Sequence, residues 1–248
     1  MAIDYHEARA DLAAALRWAC RYSLHEGVDN HFSMAMPDDD GVVRGKRFLI
    51  NPHGWHWSEV TASSLVLCNE AGDVLEGDNA VEETAFFIHS RVHAAMPNAI
   101  AVLHTHMPHA TALTLLEDGR LEMCEQNALM FDDRIAYDDT YTGVALDAAE
   151  GDRLAAKLGN KSVLMMASHG VMVTGTSMAD AFNDLFYLER AAMFQVLARS
   201  TGGRLRQISD DVRQTTRQQL ATERPKVAER HFAALKRMLD SEEPEYRQ

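Results

Sequence analysis

The sequence predicts a single α/β domain. Apolar runs with strand character alternate with segments of helical period along most of the chain. Its 248 residues, 46% of them hydrophobic, are enough for one sizeable core. Two of the apolar runs also lead into histidines, and α/β proteins keep ligands at the ends of their strands.

The elements follow in order. Residues 6–25 read as an amphipathic, Ala-rich helix stopped by Gly27. Phe32 to Met36 and Phe48 to Ile50 are short strands, separated by the acidic turn Asp38-Asp39-Asp40-Gly41. Thr61 to Ser64 starts a helical turn, Leu65 to Cys68 is a strand, and Asn69 to Gly72 is its hairpin turn. Residues 82–96 have Ala85, Ile88, Val92 and Met96 on one helical face, with Pro97 as the exit. Ile100 to Leu103 is a buried strand running into His104. Asp147 to Leu158 is a helix, and Ser162 to Ala167 and Val171 to Val173 are apolar strands around a Ser-His-Gly turn. Residues 177–200 form a long helix with Ser177 as N-cap and Asp180 three residues on. After Gly202-Gly203 the chain turns polar, and 210–240 is mostly helix-forming. The reading is one domain, 1–203, with a helical C-terminal extension, 204–248, packed on the core or on a neighbouring subunit.

Composition excludes several classes. Cys20, Cys68 and Cys124 are odd in number and widely spaced, which fits a reducing compartment rather than a disulfide framework. Met1 to Arg21 carries charges throughout with no apolar leader, and no run approaches the roughly 18 apolar residues of a membrane span. A cytoplasmic protein without membrane contact is expected. The net charge of −13 argues against nucleic-acid binding. Twelve histidines are a generous count, several of them between Phe87 and His109.

His104 and His106 follow the strand at i and i+2, so their side chains share a face and reach one point. A third protein ligand would complete a catalytic metal site with an open position. His169 is the candidate, at the end of the 162–167 strand, with Gly170 letting the chain turn tightly. On spacing alone, the His-x-His pair serves a metal or ordinary hydrogen bonds equally well.

The run Pro97-Asn98-Ala99-Ile100-Ala101-Val102-Leu103-His104-Thr105-His106, with Ala110-Thr111-Ala112 behind it, resembles the signature of the class II aldolase/adducin family. Ser168-His169-Gly170-Val171 resembles its Asn-His-Gly segment, and Phe186 to Ala191 resembles the stretch on the following helix. Asp29-Asn30-His31-Phe32-Ser33 is similar to the family's Gly-Asn-(Ile/Val)-Ser loop, and Phe48 to Gly77 to its Pro-x-Gly and Asp-Gly segments. The similarity runs from about residue 8 to 200. It implies a three-layer α/β/α sandwich, a ring-shaped homotetramer, and a divalent ion, Zn²⁺ with Mn, Fe or Co as alternatives, on His104, His106 and His169. The metal of such enzymes is a Lewis acid that stabilises an enediolate as a C–C bond breaks or a proton leaves.

The sequence departs from the sugar-phosphate aldolases at three places. Their catalytic glutamate, four residues before the histidine matching His89, is Ala85 here, and Glu82 and Glu83 fall at a different angle. Where they carry a tyrosine from a neighbouring subunit, this chain has Cys124-Glu125-Gln126-Asn127. Glu125 is therefore a candidate for acid/base work or metal ligation, or else a solvated carboxylate. Their phosphate loop is replaced by Asp78-Asn79-Ala80-Val81-Glu82, whose carboxylates repel a phosphate dianion. His109 is read as facing the substrate or as a helix-start surface residue. Asn30, Ser33, His53 and His89 are the candidate substrate-binding residues, His89 either in the pocket or just behind it, and His53 and His56 with Trp55 and Trp57 suggest an aromatic pocket or a packed rim.

The expected function is a metal-dependent lyase cleaving a C–C bond, by aldol cleavage or decarboxylation, in a small non-phosphorylated carbonyl or carboxylate compound. The alternative is a non-catalytic, adducin-like oligomeric module, which the alanine at 85 favours and the three histidines disfavour.

Overall fold

Eight strands form one mixed sheet in the order β4-β3-β2-β1-β5-β8-β7-β6. The computed structural model describes residues 5–248; residues 1–4, the start of the segment read above as lacking an apolar leader, lie outside the described residues. The first half runs α1 (Tyr5–Arg21), β1 (His31–Pro37), β2 (Val43–Ile50), β3 (Val66–Asn69), β4 (Val74–Glu76), α2 (Glu83–Ala95) and β5 (Ala101–Thr105). The second runs α3 (Pro108–Thr114), β6 (Ile135–Asp138), α4 (Ala148–Leu158), β7 (Val163–Met166), β8 (Gly170–Gly175), α5 (Met178–Ser200) and α6 (Asp210–Glu242). Every strand pair is antiparallel except β6 with β7.

The period-2 alternation of strand side chains sorts the sheet into two apolar faces. Phe32, Met34 and Met36 of β1, Ala101 and Leu103 of β5, and Val171 and Val173 of β8 pack with α1, α3, α5 and α6. Val102, Leu164 and Met172 point the other way, against Ile88 and Val92 of α2 and Leu154 and Leu158 of α4. The result is the expected three-layer α/β/α sandwich. It also fixes polarity at the centre: with Phe32 and Leu103 on the first face, His31, Ser33 and His104 must lie on the α2 face.

The sequence expectations hold for most elements and miss at identifiable places. The first helix ends at Arg21, not 25. Ser23 adopts φ +56°, the Leu24 N–H reaches the Ala19 carbonyl at 2.9 Å, and the Ser23 N–H reaches that of Cys20 at 2.9 Å. That is a Schellman closure with serine where glycine usually stands, so Gly27 is not the stop. β2 begins five residues earlier than Phe48, and β4, β6 and α3 were not foreseen. Pro108 opens α3 at a position where a missing N–H costs nothing. Ser177 caps α5 as expected, accepting the Asp180 N–H at 3.1 Å.

The segment after 204 packs on its own chain. Phe232, Leu235, Leu239 and Tyr246 are buried in the same cluster as α1 and α5, each worth about 2 kcal/mol. The Trp18 indole donates to the Leu235 carbonyl at 2.9 Å. Fully buried Asp184 of α5 receives Arg224 of α6 at 2.8 and 3.0 Å, and also Arg134. Removing the central charge leaves two guanidinium groups without their partner. Asp184→Ala is expected to lower the unfolding free energy by about 3 kcal/mol in denaturant titration; an unchanged midpoint would show that α6 is held by its apolar face alone.

Candidate metal centre

His104 is the fourth residue of β5, and the register pairs it with His31 on β1 and Met172 on β8. His106 lies just past the strand end on the same side. His169 arrives from the β7–β8 turn, where Ser168 takes φ +56° and the His169 N–H reaches the Met166 carbonyl at 3.2 Å. The ring centroids are 5.1 Å apart for His104 and His106, 4.8 Å for His104 and His169, and 4.9 Å for His106 and His169. One nitrogen from each lies within 4.8 Å of the others. Gly170 matters here for space: a Cβ on it would stand 2.6 Å from the Thr105 carbonyl oxygen and 2.7 Å from the His106 ring.

The hydrogen bonds decide where the protons sit. His104 Nδ1 faces the Val171 carbonyl at 3.0 Å, an acceptor only, so Nδ1 carries the proton and Nε2 is left as a lone pair. His106 Nδ1 faces the Glu26 carboxylate at 2.8 Å, and its Nε2 is buried with no partner. A metal-binding histidine ordinarily donates its other N–H to a carboxylate or carbonyl in this way. Burial first, and the neighbouring imidazoles second, hold His104 well below the usual histidine range. Burial and His106 likewise lower His169 to about 4, although Glu150 opposes the shift. Neutral imidazoles are the ligating form. The donor set therefore fits a divalent ion.

Behind the cluster runs a file of buried imidazoles whose protons are fixed from one end. The Ala99 carbonyl takes the His93 Nδ1–H at 2.9 Å, so His93 Nε2 accepts from the Ser33 hydroxyl at 2.7 Å. Ser33 Oγ then accepts from His89 Nδ1 at 2.5 Å, and His89 Nε2 accepts from His31 Nδ1 at 2.8 Å. His31 Nε2 is left unprotonated. Burial lowers His93 to about 4 and His89 well below its ordinary value. Burial also lowers His31 to about 3, against the pull of Glu82.

A cavity of about 330 Å³ opens over this group, lined among others by Asn30, His31, His53, Glu82, Tyr141 and the three converging histidines. Asn30, with φ +72°, turns its Oδ1 to the His106 N–H at 3.2 Å, so it braces the strand end as well as lining the space. Ser33 of β1 and His89 of α2 are fully buried where these two elements meet and do not line the cavity, so His89 stands behind the pocket rather than in it. Of the His53–Trp57 segment, only His53 reaches the cavity; Trp57 is buried and Trp55 packs against the main core. An aromatic pocket built from that segment is not formed.

The two expected catalytic residues stand elsewhere in this chain. Glu125 accepts the N–H groups of Asn127 at 2.9 Å and Ala128 at 2.6 Å, capping the turn at 128–131. His109 is turned to Glu189 of α5, which takes its Nδ1 at 2.7 Å and the backbone N–H groups of His109 and Ala110 at 2.9 Å each. That carboxylate satisfies the otherwise bare start of α3. Sequence reasoning missed His31, whose alternate position with Ser33 carried the signal. It also missed Glu26, for which there was no local signal, and the return of Glu82 to the cavity. Glu82 is the N-cap of α2, accepting the Ala85 N–H at 2.7 Å and the Thr84 hydroxyl. Burial pushes its carboxyl up, but those hydrogen bonds and His31 outweigh it and the net shift is downward.

Among the described residues, no helix is long and apolar enough to cross a membrane. A family model described as the class II aldolase and adducin N-terminal domain matches residues 10–196. A Pseudomonas aeruginosa protein that carries an aldolase class 2 name is 33% identical over 98% of this chain and 92% of its own. Mouse alpha-adducin is 34% identical over 79% of this chain, which spans only 26% of that protein. An aldolase II superfamily structure from Pseudomonas syringae superposes with a TM-score of 0.90 at 33% identity, covering 100% of this chain and 98% of that one. With its three layers, its strand-end histidines and these relatives, the chain belongs to the class II aldolase and adducin family.

Proposed function

We propose that the protein is a divalent-metal-dependent lyase that breaks a C–C bond, by aldol cleavage or decarboxylation, in a small non-phosphorylated carbonyl or carboxylate compound. The observation that carries this is the trio His104, His106 and His169: convergent, kept neutral by burial at His104 and His169, and, for His104 and His106, held by N–H groups tied back to Val171 and Glu26. The ion, Zn²⁺ with Mn, Fe or Co as alternatives, would be held by these three residues and would supply Lewis-acid stabilisation of the negative charge that develops at a carbonyl oxygen.

The remaining roles fall to this chain's own groups. Asn30 keeps His106 in place through its backbone N–H. Glu82, ionised and on the cavity wall, is the carboxylate positioned to take or hold a substrate proton in place of the absent glutamate at Ala85. His53 and Tyr141 contribute polar edges at the opening. The described cavity lining includes no Lys or Arg to partner a phosphate dianion, and Glu82 would oppose one. The proposal includes a cytoplasmic homotetramer, supported by three free cysteines and by the exposed apolar side chains of Val144 and Leu146 near the cavity mouth.

The second reading, an adducin-like scaffold, is favoured by Ala85 and by the adducin relatives. Metal analysis separates the two. The lyase predicts that His104→Ala and His169→Ala each bind one divalent ion per chain fewer than the wild type while the fold is retained by circular dichroism. Equal metal content in the wild type and both variants after reconstitution would leave the scaffold reading standing.

A substrate screen tests the chemistry. Non-phosphorylated hydroxycarbonyl compounds and hydroxyacids are expected to release an aldehyde, ketone or CO₂ in a metal-dependent manner. Saturable cleavage of ketose phosphates alone would overturn the substrate class.

Acid sensitivity follows from the buried histidines. Because the folded-state pKa of His93 is lowered from 6.5 to about 4, the unfolded chain binds more protons between those values. Stability is then full above pH 6.5 and falls as pH drops through that window, by roughly 3 kcal/mol for His93 alone. Unfolding midpoints measured from pH 7 to 4 should decline steeply, and His93→Gln should flatten the profile. A pH-independent midpoint would contradict the neutral file.

A further inference from the structure

A second cluster of metal-binding side chains lies outside the cavity. Cys20 stands near the end of α1, His25 follows the Schellman closure at Ser23, and His56 comes from the loop after β2. One ligand atom from each lies within 4.8 Å of the other two. His25 Nε2 and His56 Nε2 are 3.2 Å apart. Two nitrogens bound at about 2.0 Å to one tetrahedral ion stand about 3.3 Å apart, so the spacing is already that of two ligands.

We infer that Cys20, His25 and His56 form a second, independent metal site of the Cys-His₂ type, suited to Zn²⁺ or another borderline-soft ion. Three details of the surroundings agree. His56 Nδ1 faces residue 58 twice, at 2.7 Å from the Ser58 hydroxyl and at 3.4 Å from its N–H, which fixes the ring with Nε2 turned toward His25. His25 is stacked on Trp57 with ring centroids 5.3 Å apart and an interplanar angle of 25°, which fixes its orientation. Its Nδ1 is buried with no protein partner, so the only side-chain polar contact of the ring is the one its Nε2 makes with His56. His56 is the most exposed of the three and gives an ion a way in.

Burial, together with His56, lowers the His25 pKa and keeps the ring neutral. Burial first, with Glu243, raises that of the Cys20 thiol, while the Ser58 backbone N–H opposes the shift. Binding therefore displaces the Cys20 proton to solvent and breaks the contact between the two Nε2 atoms. The position gives the site a consequence. His25 is followed directly by Glu26, whose carboxylate holds His106 Nδ1. The His56 loop also carries His53 to the cavity wall. An ion here staples the end of α1 to that loop and steadies the turn that presents Glu26.

The test uses Co²⁺ added to the full-length, reduced, metal-free protein. The cavity histidines contain no sulfur, so a near-ultraviolet thiolate-to-cobalt charge-transfer band distinguishes a thiolate site from the cavity centre, and Cys20→Ser assigns it among the three free cysteines. The expected result is a saturable band in the wild type that disappears in Cys20→Ser and in His56→Ala. It should persist in His104→Ala, which separates this proposal from the fate of the cavity centre. Absence of the band in the wild type, its persistence in Cys20→Ser, or its loss in His104→Ala would each overturn the inference.

Discussion

Two backbone carbonyls, those of Val171 and Ala99, govern the chemistry at the centre of this protein. A carbonyl can only accept, so each dictates which nitrogen of the histidine facing it carries the proton. From Val171 follows a bare Nε2 on His104. From Ala99 follows the order of protons through His93, Ser33, His89 and His31. The arrangement works only while the rings are neutral, and burial makes them so. A charged imidazole in this file would be both desolvated and left with a proton and no acceptor. The same burial that makes the site acid-sensitive makes it competent to bind a cation.

The sheet exists upstream of that constraint. His31 and His104 face each other because β1 and β5 are antiparallel in a register that pairs them, and a one-residue slip of β1 would send His31 to the opposite face. That face is covered by the apolar side chains of α1 and α5, where no acceptor waits. Register and protonation thus reinforce each other: the polar file is satisfied only in the observed pairing. Gly170 adds a steric condition, since any side chain there would push into the Thr105 carbonyl and the His106 ring.

Much of this was legible in the sequence, and its limits are physical. The i, i+2 spacing of His104 and His106 encodes a shared face directly, because strand geometry is local. The helices at 82–96, 147–158 and 177–200 announce themselves through period and caps. What could not be read are contacts closed by tertiary packing. Glu26 reaches His106 across 80 positions, and Glu189 reaches His109 across the same number. The resemblance drew Ser33 to the substrate, whereas α2 packs down on β1 and encloses it against His89. It gave no hint that Glu125 would be consumed in capping a local turn. The helix end at Ser23 was missed because a serine in the left-handed region looks like any other serine in sequence.

The absent glutamate at Ala85 then takes on a different meaning. Ala85 is 1% exposed and packs with Phe48, Ile50 and Val66, so a carboxylate there would have to displace apolar contacts or swing into the cavity. In this chain the backbone N–H of the same residue anchors one oxygen of Glu82 at 2.7 Å, three positions earlier, at the helix cap. A cap position serves an acid well: the helix N-terminus favours its ionised form, and the backbone rather than a flexible side chain fixes its place. The cavity accordingly holds a half-buried carboxylate, favoured in its ionised form, beside the buried imidazoles of His31 and His104. Holding His31, His89 and His104 neutral away from water is a structural cost, and the proposed lyase function would account for it where oligomerisation alone would not.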